Sequence, residues 1–114
     1  MPPRQLTPDL FISEQPGLAD IQILAARGIR AIICNRPDGE DPGQPAWDMV
    51  EAEASAHGME ARLIPVTPDT MGPQAVRDFA AAMAELPKPV LAYCRTGNRS
   101  QMLADKAGLL RAAP

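Results

Sequence analysis

The chain is predicted to be one α/β domain: a mainly parallel, four-stranded sheet with helices on both faces. Three observations carry that expectation. Strand-like and helix-like segments alternate four times along the chain, the order of a parallel sheet with crossover helices. The strand candidates, Ala31-Ile32-Ile33-Cys34 above all, are nearly continuous apolar runs, as in strands covered on both faces. The length, 114 residues, is that of one domain, and 46% apolar residues are enough for a core.

Leu10-Phe11-Ile12-Ser13 is the first strand. Gly17-Leu18 opens a helix that places Leu18, Ile21, Leu24 and Ala25 on one face at spacings of three and four, and Gly28 closes it in the left-handed C-terminal position. Arg30 to Cys34 is a β-branched strand, followed by a loop from Asn35 to Pro45 in which Asp38-Gly39 signals a turn. Ala46 to His57 reads as a helix ended by Gly58. Ala61 to Val66 is the third core strand, and its Pro65 argues for a strand end or an edge. Thr67 to Gly72 is a loop, and Pro73 suits the first position of a helix that runs to Leu86. Pro87-Lys88-Pro89 breaks that helix, Val90 to Cys94 is the fourth strand, and Asn98 to about Leu110 is the last helix. Residues 1–114 show no internal repeat, low-complexity tract or linker.

The composition excludes several function classes. A formal net charge of -3 argues against a nucleic-acid binder that works by neutralising phosphates. No apolar run approaches the ~20 residues of a membrane span, and Met1-Pro2-Pro3-Arg4-Gln5 has no apolar stretch of signal-peptide type. A cytoplasmic protein is the expectation, and there the 2 cysteines are thiols rather than a disulfide. The lone His57 has no partners for a metal set, and neither a metal nor an organic cofactor is implied.

In sheets of this kind the site lies beyond the carboxyl ends of the strands. Three loops emerge there: Asn35–Pro45, Thr67–Gly72 and Cys94–Arg99. The last carries the chemistry. Cys94-Arg95-Thr96-Gly97-Asn98-Arg99-Ser100 joins a strand end to a helix start, so its backbone N–H groups can converge on an anion at the sulfur. Gly97 permits the tight turn that points them inward. Arg99 and Arg95 add positive charge, although Arg95 suits a solvent-facing position equally well. A thiol of ordinary pKa, ~8.5, is only about 3% thiolate at neutral pH, and such a cradle lowers the pKa to ~3.5–7.5. Cys94 then becomes a nucleophile. Ser100 is placed to donate a hydrogen bond to its sulfur.

These residues carry a family resemblance. Cys-x-x-Gly-x-Arg-Ser after a strand resembles the active loop of rhodanese-type sulfurtransferases, while the overall layout is similar to cysteine-dependent dual-specificity phosphatases. Both together resemble the beta-lactamase hydrolase-like, phosphatase-like domain family, in which Asn-Arg-Pro-Asp-Gly-Glu follows an Ile-rich strand as at Asn35–Glu40. Ile64-Pro65-Val66 and the Cys94–Ser100 loop match as well, so the resemblance covers about residues 5–106. It implies a cysteine-phosphatase-like fold, and a domain that occurs alone or joined to a metallo-β-lactamase-like persulfide dioxygenase. It also implies a general acid on the loop after the third core strand, here Asp69. A helix cap is the competing role for Asp69, but Gly72 is better placed to cap.

The phosphatase signature has five residues between cysteine and arginine; this chain has four, Arg95, Thr96, Gly97 and Asn98. Tyr93 stands where that signature has histidine. A phosphoryl group offers three oxygens and needs a wide ring of donors, whereas the terminal sulfur of a persulfide is one atom and fits a tighter one. The leading expectation is therefore a sulfurtransferase. Cys94 would take a sulfane sulfur from thiosulfate or a low-molecular-weight persulfide, hold it as a persulfide, and pass it to a thiol or another small acceptor. The alternative is a phosphatase acting through a cysteinyl-phosphate on Cys94, with Arg99 on the phosphoryl oxygens and Asp69 as acid. Arg36 and Asp38 are candidates for the pocket rim. Cys34 is read as a buried core thiol, with a resolving role for Cys94 as its alternative.

Overall fold

The computed structural model describes residues 2–109. The elements are β1 (Arg4–Thr7), β2 (Leu10–Ser13), α1 (Leu18–Ala26), β3 (Ala31–Cys34), α2 (Trp47–Ala56), β4 (Glu60–Leu63), α3 (Pro73–Glu85), β5 (Val90–Tyr93) and α4 (Asn98–Lys106). The sheet order is β1-β2-β5-β3-β4. All pairings are parallel except that of β1 with β2.

The sheet thus has five strands rather than the four expected. The extra one, β1, is a polar edge strand that pairs with β2 alone and breaks register between Gln5 and Thr7. The expected third core strand ends early, at Leu63. It is the opposite edge of the sheet, as Pro65 foretold, and Ile64-Pro65-Val66 continues as an ordered loop whose Ile64 and Val66 N–H groups donate to the carbonyls of Cys34 and Asn35. The last helix ends at Lys106, and Leu110 lies outside the described residues.

Strand alternation sorts the core into two layers. Leu10, Ile12, Ile33, Val90 and Ala92 face α3 and α4, where Phe79, Met83 and Leu103 are buried against them. Ile32, Cys34, Leu91 and Tyr93 face α1 and α2, packing on Ile21, Leu24, Val50 and Ala54. Helices therefore cover both faces. Burying one such Leu or Ile side chain contributes roughly 1.5–3 kcal/mol.

The register brings the carboxyl ends together. Ser13 and Cys34 both lie opposite Tyr93, and Leu63 lies opposite Cys34. All four parallel strands therefore deliver their following loops to one rim of the sheet.

Candidate active site

Cys94 is the first residue beyond β5 and is 0% exposed. The chain then turns back on the sulfur and enters α4. Gly97 makes the turn at φ 97°, and its N–H donates to Cys94 Sγ at 3.0 Å. Burial opposes ionisation of this thiol. The backbone N–H groups of Ser100, Thr96, Arg99 and Gly97 outweigh burial and bring the thiol below its ordinary range. Four converging donors at a helix N-terminus thus stabilise the thiolate itself.

Arg99 spans the cradle. Its Nη1 and Nη2 donate to the two carboxylate oxygens of Glu40 at 2.8 and 2.9 Å, and Nη1 also donates to the Val66 carbonyl at 3.0 Å. The Glu40 bonds, and the Cys94 sulfur after them, raise the affinity of Arg99 for its proton despite partial burial. Glu40 responds in kind: the Arg99 bonds foremost hold its carboxyl at about 2.

Glu40 also accepts from Arg36 Nε at 3.0 Å, and Arg36 ion-pairs through Nη2 with Asp41. Arg95 Nε stands 3.5 Å from Asp41 Oδ2. Arg36, Arg95 and Arg99 against Glu40 and Asp41 leave one net positive charge in this cluster, which favours an anionic sulfur.

The structure brings Cys94, Arg99 and the backbone of Thr96, Gly97 and Ser100 together. Other expected site residues take different roles. The Ser100 hydroxyl does not reach for the sulfur: its one proton goes to Asn35 Oδ1 at 2.9 Å, and Ser100 serves the thiolate through its backbone N–H instead. Asn35 is 0% exposed and donates to the Ile64 carbonyl, so it locks the Cys94 loop to the β4 edge. Arg95 is mostly exposed and turned to Asp41 rather than into the cradle. Thr96 Oγ1 accepts the Asn98 N–H, and the Asn98 side chain lies outward, toward Met102.

Arg36 is not a rim residue. It is buried and holds Glu40, Asp41 and Gln15. Asp38 leaves the rim too, because its Oδ1 accepts the Trp47 N–H and completes the start of α2. Asp69 is exposed in the Thr67–Thr70 turn, three residues after the carbonyl that Arg99 holds. Cys34 stands on the α1–α2 face, where burial pushes its thiol up and its Sγ donates to the Arg36 carbonyl at 3.2 Å. Glu40 itself was not singled out from the sequence. The signal lay in Asn-Arg-Pro-Asp-Gly-Glu, where an acid follows a buried arginine by four residues.

The family model described as "Beta-lactamase hydrolase-like protein, phosphatase-like domain" matches residues 3–108. The chain belongs to that family. A beta-lactamase hydrolase-like protein of Agrobacterium fabrum is 43% identical over 94 residues, which make up 82% of this chain and 22% of that protein. The chain therefore spans about a fifth of the length of the curated relatives it matches. Among solved structures, a Neisseria meningitidis protein proposed to be a phosphatase is 34% identical. It superposes with a TM-score of 0.86 over 96% of this chain and 78% of that one. The core catalytic domain of a PP-IP phosphatase from S. cerevisiae matches with a TM-score of 0.65 over 95% of this chain and 74% of its own. At 11% identity it shares the fold alone. The domain is thus phosphatase-like in family and in fold.

Proposed function

We propose that this domain is a cysteine-dependent phosphatase-like hydrolase. The observation that carries the reading is the ring of four backbone N–H groups that lowers the Cys94 thiol at the head of α4, within a phosphatase-like fold. On this reading the Cys94 thiolate attacks phosphorus, an S–P bond forms and the ester P–O bond breaks. Asp69 delivers its proton to the leaving oxygen. Water then attacks the cysteinyl-phosphate, the S–P bond breaks, and Asp69 takes the proton that the water loses. Arg99, bidentate by nature, holds two phosphoryl oxygens throughout.

The test is hydrolysis of an aryl phosphate by the wild type beside Cys94→Ser and Asp69→Asn. Turnover lost in the first and sharply reduced in the second is the expected result. Turnover that survives Cys94→Ser overturns the reading.

One observation favours a second reading, in which Cys94 carries sulfur. The loop has four residues where the phosphatase signature has five, and Gly97 N–H sits 3.0 Å from the sulfur. So tight a ring suits one terminal sulfur better than three oxygens. The donor would be thiosulfate or a low-molecular-weight persulfide, the acceptor a thiol, and a persulfide dioxygenase a fitting partner. Two buried free thiols accord with a reducing compartment such as the cytoplasm. Intact mass after incubation with thiosulfate or glutathione persulfide decides: one sulfur added, reversed by a thiol and absent in Cys94→Ser, supports this reading. No added sulfur from either donor removes it.

A further inference from the structure

A buried amide ties the Cys94 loop to its surroundings at the rim of the sheet. Asn35 is the first residue after β3 and is 0% exposed. Its backbone N–H donates at 2.8 Å to the carbonyl of Tyr93, the residue before Cys94. Its Oδ1 accepts the Ser100 hydroxyl at 2.9 Å, in the first turn of α4. Its Nδ2 donates to the Ile64 carbonyl at 2.9 Å, and its own carbonyl accepts the Val66 N–H at 3.0 Å. The Val66 carbonyl in turn accepts from Arg99 Nη1 at 3.0 Å. Asn35, Val66, Arg99 and Ser100 thus form a closed circuit in which every link is a hydrogen bond or a peptide bond.

The residue type suits this place. A carbonyl accepts and cannot donate, so the Nδ2 end must face Ile64 and the Oδ1 end must face the hydroxyl. Aspartate would set an acceptor against the Ile64 carbonyl, and leucine would satisfy neither partner. The first N–H groups of a helix have no partner within it, and at α4 they turn to the Cys94 sulfur. Their aim depends on how that turn is seated. The Ser100 N–H is the strongest of the four donors there, and the hydroxyl of the same residue seats the turn on Asn35.

We infer that Asn35 is a positioning residue for the chemistry at Cys94. By holding the Ser100 hydroxyl it keeps the Ser100 N–H aimed at the sulfur, and through Val66 it keeps Arg99 beside the same atom. It acts through Ser100 and Val66 rather than on the reacting atoms. The inference rests on the reading of Cys94 as the nucleophile.

The test is the rate of Cys94 alkylation by iodoacetamide against pH, read by mass on the Cys94 peptide, with a urea melt of each protein beside it. Asn35→Ala removes both side-chain bonds. Ser100→Ala removes the hydroxyl, keeps the N–H, and serves as the deciding variant if Asn35→Ala does not fold. Each should raise the pH of half-maximal rate by about 0.5–1 unit, so that Cys94 reacts about 3–10-fold more slowly below it. The double variant should rise no further than Asn35→Ala alone, because both changes cut one link. Val50 is buried in α2, against the other face of the sheet. Val50→Ala loosens the core without touching the circuit, and should move the half-maximal pH by less than about 0.2 unit.

Lower melts with an unmoved pH profile in Asn35→Ala and Ser100→Ala make Asn35 a structural brace only. The inference is then overturned while the reading of Cys94 stands. A fall in the half-maximal pH of Asn35→Ala overturns it too, by showing that the freed hydroxyl turns to the sulfur. So does a rise that Ser100→Ala does not share, or one that Val50→Ala matches. A wild type whose Cys94 titrates like an ordinary thiol overturns both the inference and the reading beneath it.

Discussion

Replacing Gly97 by alanine separates the geometry of the cradle from its charge. Gly97 has φ 97° and ψ -13°. An L side chain in the left-handed region costs roughly 1–2 kcal/mol. The added Cβ would also stand 3.3 Å from the carbonyl oxygen of Ser13 and 3.4 Å from its carbonyl carbon. Those are backbone atoms at the end of β2, held by the β2–β5 pairing at Ser13 and Tyr93, so they retreat poorly. Overpacking of this kind adds about 1 kcal/mol, the lower end of its usual range. We expect a loss of about 2–3 kcal/mol, which lowers the melting temperature by roughly 8–20 °C in a domain of this size. The chemical consequence has a definite sign. Relief of the strain rotates the peptide and draws the Gly97 N–H off the sulfur, and one of the four donors that lower the Cys94 thiol is lost. The pH at which iodoacetamide modifies Cys94 at half its maximal rate must then rise. The assays are a thermal melt and alkylation rate against pH, read on the Cys94 peptide. An unchanged melt refutes the steric argument. A lowered melt with an unchanged pH profile refutes the claim that this N–H holds the thiolate.

Four further outcomes are expected. Ser100→Ala leaves the buried Oδ1 of Asn35 without its donor, and should lower stability by about 1–3 kcal/mol in urea unfolding. Asp69→Asn should slow hydrolysis of a phenyl phosphate, a poor leaving group, by about 10²–10⁴-fold, and leave any sulfur loading of Cys94 unchanged. Glu40 is held at about 2 against an ordinary 4.5, so its ion pairs contribute fully above 4.5 and are lost as the pH falls toward 2. Acid unfolding of Glu40→Gln should lack that component, and an identical acid limb in both proteins would contradict the pairing. Iodoacetamide near neutral pH should label Cys94 before Cys34, because burial pushes the Cys34 thiol up while four N–H groups bring the Cys94 thiol down; the reverse order would show that the two environments have been misread.

Apolar pattern carried most of the fold. β3 and β5 are buried along their whole length, and such strands have no polar face to hide them in a sequence. β1 escaped because an edge strand has different requirements. Arg4-Gln5-Leu6-Thr7 pairs on one side only and is exposed at its first two residues, so it needs no apolar run. The end of β4 was misplaced for a related reason: Ile64 and Val66 look like strand residues, yet their hydrogen bonds go to the carbonyls of Cys34 and Asn35 in a loop around Pro65.

The cradle was readable because its parts are contiguous, and the rest of the site was not because it is built across the sheet. Backbone donors within seven residues of chain follow from one glycine and one helix start. The partner of Arg99 lies 59 positions away in sequence, and that of the Ser100 hydroxyl 65. Local reasoning gave the hydroxyl to the nearest acceptor, the sulfur. The structure gives it to Asn35 because a buried amide oxygen left unpaired costs more than a thiolate that already has four other donors. Arg99 follows the same logic. With the Glu40 carboxylate delivered by the neighbouring loop, its two terminal nitrogens are held along one edge. The guanidinium also lies within reach of the Cys94 sulfur, so a carboxylate from a distant loop and a thiol five positions before it in sequence fix one arginine between them, which no local reading of the chain could supply.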